Sequence, residues 1–211
     1  MKKPKILILG TDAAGKNYVG QLILRQLRAA GLPAAFRERR LSGRDNGGVE
    51  KDKSAFGHLA EWAFVRTYPL TQVLMPWVVD ILLQLDLVRT KSGEQAEIIV
   101  SHTALRLAAF DLGHKYACVS QVQVPARTQK LLRQLYRRLD GDTIVLDIAH
   151  ATRRQRVQAR GDTSDPFDRY LAARPELSER IEACMVHLAT EHLDASLIEN
   201  NDLSEQELLQ A

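Results

Sequence analysis

Apolar and polar positions along this chain follow two rhythms. Short unbroken apolar runs, Ile6 to Leu9, Glu97-Ile98-Ile99-Val100 and Thr143 to Ile148, are bounded by Gly, Ser or Asp and read as strands buried on both faces. Between them apolar residues recur every three or four positions, the interval of a helix with one buried face. Val19, Leu22, Ile23 and Leu27 keep that interval, and Gly31 followed by Pro33 stops it. Pro33 to Glu38 reads as a short second strand. Residues 41–53, with Gly43, Gly47, Gly48 and dense charge, read as a loop that either closes over a substrate or lies idle on the surface.

The helical interval returns over residues 55–90, where Phe56, Leu59, Trp62 and Ala63 form one stripe. Pro69 and Pro76 are expected to divide this stretch into two or three helices. Trp62 and Trp77 belong either to the core or to the wall of a base pocket. Leu105, Ala108 and Ala109 start another helix, ended by Gly113, and Gln121 to Pro125 is either a short extended piece or a loop. Thr128 to Leu139 reads as an amphipathic helix whose basic face (Lys130, Arg133, Arg137, Arg138) is solvated. Arg153, Arg156 and Arg160 share one helix face ahead of Gly161. Leu177 to His192 forms the last helix, with Ile181, Cys184 or Met185, and Leu188 inward, and Ala195 to Ile198 a closing edge strand. Strands alternating with helices predict an α/β fold with a parallel sheet.

Composition narrows the class. The 211 residues fit one domain, with a lid segment around 153–168, and are enough to bury a full core. A net charge of +3 permits an anionic small-molecule substrate and calls for neither nucleic acid nor a membrane surface. Cys118 and Cys184 have neither metal nor disulfide spacing and are expected as small buried residues of a reducing compartment. The apolar stretch from Val73 to Val88 is interrupted by Pro76, Asp80, Gln84 and Asp86, so a soluble, cytoplasmic protein is expected.

Chemistry concentrates at Gly10-Thr11-Asp12-Ala13-Ala14-Gly15-Lys16-Asn17, where Gly10, Gly15 and Lys16 stand at the phosphate-loop spacing G-x-x-x-x-G-K between a strand and a helix. In that setting successive backbone N–H groups, and those of the helix start through Tyr18, face phosphate oxygens. Lys16 supplies a full charge to the outer phosphates. The Ser or Thr that holds Mg²⁺ in this motif is replaced by Asn17, whose side-chain carbonyl is a candidate metal contact. Arg37-Glu38-Arg39-Arg40 sits where the second strand emerges, either as a phosphate contact or as a solvated turn.

With these residues in view the chain resembles the thymidylate kinase family of P-loop nucleoside monophosphate kinases. The resemblance rests on Ile6 to Asn17 with Asp12 inside the loop, on Arg37-Glu38, and on Leu146-Asp147-Ile148 followed by Arg156-Val157-Gln158-Ala159-Arg160-Gly161 and Asp165. It implies a three-layer α/β/α domain, ATP and Mg²⁺ as cofactors, an anionic acceptor such as dTMP, and a homodimer. By the same resemblance Lys16, Asp12 and Arg160 are catalytic, Arg156 and Arg160 cover the donor, and Asp12 and Glu38 lie near the metal or acceptor. The family's strand-end Asp-Arg is Ser101-His102 here, so a carboxylate and an arginine are missing. His102 either contacts a phosphate or caps a helix, and Arg106 is placed to replace the lost arginine one turn on. The family's Asp-Arg before the acceptor site is Asp80-Ile81, and its Ser-x-x-Ala-Tyr-Gln is Arg106 to Asp111. Altered metal contacts at both Asn17 and Ser101 point to a changed task, either a new acceptor or nucleotide binding without transfer.

Overall fold

A computed structural model of the chain describes residues 5–11, 13–37, 55–89, 96–100, 102–159, 166–201, 203–204 and 207–208. Asp12, Glu38, Arg39, Arg40, the loop 41–53, Ser101, Arg160 and Asp165 lie outside the described residues, as do the side chains of Phe56, Leu59 and Trp62.

The apolar runs form strands β1 (Lys5–Gly10), β3 (Ala96–Val100) and β4 (Asp142–Asp147), joined by β2 (Ala34–Arg37) and β5 (Ser196–Glu199). All neighbours pair parallel, in the order β2-β3-β1-β4-β5. Because side chains alternate across a strand, each central strand feeds two cores. Leu7, Leu9, Ile99 and Val145 join Leu105, Leu132 and Leu188 on one face. Ile8, Ile98, Val100 and Leu146 join Val19 and Leu22 on the other. The result is the expected α/β arrangement with helices on both faces of a parallel sheet.

The helices are α1 (Lys16–Ala29), α2 (Ala55–Thr71), α3 (Met75–Arg89), α4 (Thr103–Lys115), α5 (Ala126–Leu139), α6 (His150–Ala159), α7 (Pro166–Ala172) and α8 (Pro175–Leu193). α1 ends as expected: Leu32 N–H bonds Leu27 C=O at 2.9 Å and Gly31 N–H bonds Arg28 C=O at 3.0 Å, a Schellman pair. Pro76 falls in the first turn of α3, where its missing N–H costs nothing. Pro69, by contrast, lies within α2 and does not end it; the break comes at a 3₁₀ turn over Gln72–Leu74. α7 had no counterpart in the sequence reading, and Gln121 to Pro125 forms no strand.

Three expectations change. Cys184 is buried and its thiol is pushed up to about 11 by burial, but Cys118 is exposed beside Ser120. Trp77 is 67% exposed and so is not core. The helical stretch Ala63–Val88 is long and apolar enough, by length and composition, to cross a membrane, despite the interruptions counted above. Its Tyr68, Met75, Val79 and Leu83 nonetheless pack into the core, where Asp80 and Asp86 are also buried.

Candidate active site

The loop after β1 opens at the carboxyl edge of the sheet, with β3 and β4 on either side of β1, the position where parallel α/β sheets place ligands. Both motif glycines are required by their surroundings. A Cβ on Gly10, whose φ is +143°, would stand 2.5 Å from the Leu146 carbonyl of β4. A Cβ on Gly15, with φ +86°, would stand 2.8 Å from the Asn200 side-chain nitrogen. Ala13 also adopts a left-handed conformation, with φ +60°, without being glycine.

α1 begins directly at Lys16, with no side-chain cap on its first N–H groups and no acid in its first turn. Those amides and the helix dipole suit an anion. The Lys16 ammonium donates to the Thr11 carbonyl, which places its charge across the loop. The Thr11 hydroxyl is buried without a hydrogen-bond partner among the described residues, an orphaned polar atom inside the cradle. Asn17 and Tyr18 are exposed on the first turn. These features fit a nucleotide phosphate chain. Among the described residues no group of three or more His, Cys, Asp or Glu is arranged to hold a metal.

Arg153 and Arg156 of α6 take different surroundings. Arg153 is buried, ion-paired with Glu182 and bonded to Ser178 Oγ at 2.7 Å, both on α8. Arg156 is half-buried and reaches the loop, donating to the Ala13 carbonyl and the Asn200 carbonyl at 3.3 Å each. Asn200, just past β5, also donates its side-chain amide to the Ala14 carbonyl at 2.7 Å. Nothing in the sequence near the loop announced this residue, because 186 positions separate the two partners.

On the other side of β1 the expected acceptor residues have internal partners. Arg37 Nε lies 2.6 Å from the buried Glu97 carboxylate on the neighbouring strand. His102 is fully buried, its Nε2 2.9 Å from Asp86 Oδ2, away from any solvent-borne phosphate. It precedes α4 without capping it through its side chain. Arg106 is half-buried in the first turn of α4. Asp80 is held by Thr128 Oγ1 at 2.7 Å and Arg127 at 3.2 Å, which ties α3 to α5. Asp111 accepts from the Tyr68 hydroxyl at 2.8 Å and from Lys115 at 2.6 Å. Burial, then that hydrogen bond, holds the Tyr68 phenol far above its ordinary range. Phe64, Tyr68, Phe110, His114 and Tyr170 pack ring against ring above this pair, linking α2 and α4 to α7.

No family model matches this sequence, and no curated protein matches it either. Among solved structures, deoxyadenosine kinase from M. mycoides is similar in its complexes with dATP and with dCTP. Each superposes with a TM-score of 0.50 at 17% identity, covering 98% of this chain and 95% of the kinase. At that identity the likeness is one of fold. The chain thus carries the fold of a P-loop nucleoside kinase.

Proposed function

We propose that the protein transfers the γ-phosphoryl group of ATP to the hydroxyl of a nucleoside-type acceptor. The observation that carries this reading is the cradle itself: an uncapped helix start, Lys16 across the loop, and Arg156 bonded to the loop's Ala13 carbonyl. Such an arrangement neutralises a triphosphate and holds it in line for attack. The acceptor oxygen bonds to the γ-phosphorus as the β–γ bridging bond breaks, and ADP leaves with the electron pair. The hydroxyl proton goes to a carboxylate, a role we assign to Asp12 or Glu38, which the resemblance sets near the metal or acceptor. Mg²⁺ bound to ATP would neutralise further phosphate charge, with Asn17 as its contact from the chain.

An unphosphorylated acceptor is favoured over a monophosphate. Arg37 and His102, two of the expected phosphate contacts, are engaged with Glu97 and Asp86. The similar solved structures are deoxyadenosine kinases. The test is ADP release from ATP and Mg²⁺ across a panel of deoxynucleosides and their monophosphates. Turnover on a deoxynucleoside is expected; turnover on dTMP alone would overturn the acceptor assignment. A second reading, nucleotide binding without transfer, is favoured by Asn17 and Ser101 in place of metal-site residues. Tight ATP binding with no turnover on the panel would select it.

The acting unit is proposed as a homodimer through the outer side of α2 and α3. Leu70, Val73, Leu74, Trp77, Val78, Ile81, Leu85 and Val88 recur at helical spacing, with Leu70 85% exposed and Val88 76% exposed. Together they form one stripe of exposed large apolar side chains, the kind of patch that marks an interaction surface. Light scattering should return twice the chain mass, falling to one chain in Leu74→Glu; a wild-type monomer at micromolar concentration would overturn the assignment.

A further inference from the structure

We infer that Asn200 is a positioning residue for the phosphate loop, holding the Ala14–Gly15 peptide so that its N–H faces the bound phosphates and fixing Arg156 against the same loop. The inference rests on the nucleotide reading above and adds to it a residue that no motif contains.

The position of Asn200 is set by main chain. Its N–H bonds the Asp147 carbonyl at 2.8 Å, extending the pairing of β4 with β5 by one step. The side chain is thereby delivered, buried, beside the loop, and its Nδ2 meets the Ala14 carbonyl at 2.7 Å. A trans peptide is planar, with its C=O and N–H pointing in opposite directions. Pinning Ala14 C=O toward Asn200 therefore turns Gly15 N–H the other way, toward the cradle. Gly15 has no room for a Cβ because this amide fills the space, 2.8 Å from where the Cβ would be.

The same residue reaches the arginine helix. The Asn200 carbonyl accepts from Arg156 Nη2, while Arg156 Nη1 holds the Ala13 carbonyl. Next along the chain, Asn201 Oδ1 accepts from Ala149 N at 2.7 Å, immediately before α6. The left-handed conformation of Ala13 is disfavoured for a residue that carries a Cβ, and such conformations persist where the surroundings over-determine them. Here the carbonyls of Ala13 and Ala14 are the ones held, by Arg156 and Asn200.

The chemistry gives a specific test. Only a donor satisfies the Ala14 carbonyl, so Asn200→Asp at neutral pH sets an acceptor against an acceptor. Once protonated, the aspartic acid regains an O–H donor. ATP dissociation constants are to be measured for wild type, N200D and N200A from pH 8 to pH 5, well below each melting temperature. At pH 8 both variants should bind at least tenfold more weakly than wild type. Toward pH 5 the deficit of N200D relative to wild type should shrink, and that of N200A should not. A merely structural asparagine would lower melting temperatures without this selective recovery. N200D binding like wild type at pH 8, or tracking N200A at every pH, overturns the inference. Should N200D fail to fold, N200A decides, with a tenfold affinity loss expected and wild-type affinity overturning the role. Wild type failing to bind ATP at all would instead overturn the nucleotide reading and this inference with it.

Discussion

The two sides of β1 are built from similar residues toward different ends. On the proposed donor side, Lys16, Arg156 and Asn200 all donate to backbone carbonyls, of Thr11, Ala13 and Ala14. Their effect is to shape the main chain, whose N–H groups form a site. On the proposed acceptor side charged groups are matched to one another, Arg37 with Glu97, His102 with Asp86, and Asp111 with Lys115 and Tyr68. A phosphate cradle made from backbone survives changes in most side chains around it. The proposed acceptor site, made from side chains, is redefined by each pairing, and departures from the thymidylate kinase pattern gather there.

The contrast is open to breaking by substitution. The largest effect is expected from Asp86→Ala, which leaves a buried histidine beside a cavity. Unfolding in urea should reveal a loss of about 3 kcal/mol, with ATP affinity of the folded protein intact. Lost ATP binding at unchanged stability would place the pair in the donor site instead. Lys16→Ala should do the reverse, weakening ATP about 100-fold, or about 2.7 kcal/mol, with the melting temperature unmoved. Wild-type affinity in that variant would remove the phosphate-loop reading. Smaller still is the comparison within α6. Arg156→Gln should weaken ATP about tenfold, whereas Arg153→Gln should lower stability through Glu182 and leave affinity alone; the opposite pattern would exchange their roles.

The smallest effect concerns protons. Burial holds the His114 imidazole below its ordinary pKa of 6.5, against the raising influence of its bond to the Phe110 carbonyl. The unfolded chain therefore takes up the proton first. The stability contributed by neutral His114 is complete above pH 6.5 and declines as the pH falls below it. His192 is lowered chiefly by burial as well and adds to the same slope. Melting temperatures should therefore drop between pH 7 and pH 5, and His114→Phe should flatten part of that drop. An unaltered slope in the variant would assign it elsewhere.

What the sequence made legible follows the same division. The glycine loop between β1 and α1 was readable because its residues are contiguous and its requirements are those of backbone: Gly10 under Leu146, Gly15 at the start of α1. The stop at Gly31 and the edge strand before Glu199 were readable for the same reason. Arg37 looked like an anion contact because its partner, Glu97, is brought beside it only by the register of β2 on β3. His102 looked like a cap or a phosphate contact until α3 supplied Asp86. Trp77 kept the spacing of a core helix while facing outward, since periodicity marks a stripe but not which stripe meets the sheet.

The hydrogen bond from Asn200 to Ala14 closes a span of 186 residues. A ribosome makes β1 and the loop first, yet the contact that steadies the loop arrives only when residue 200 has emerged and β5 has docked on β4. Nascent chains short of that point carry the motif without its restraint. Under the proposed function, nucleotide would capture the finished domain in preference to its precursors, a late checkpoint produced by contact order alone.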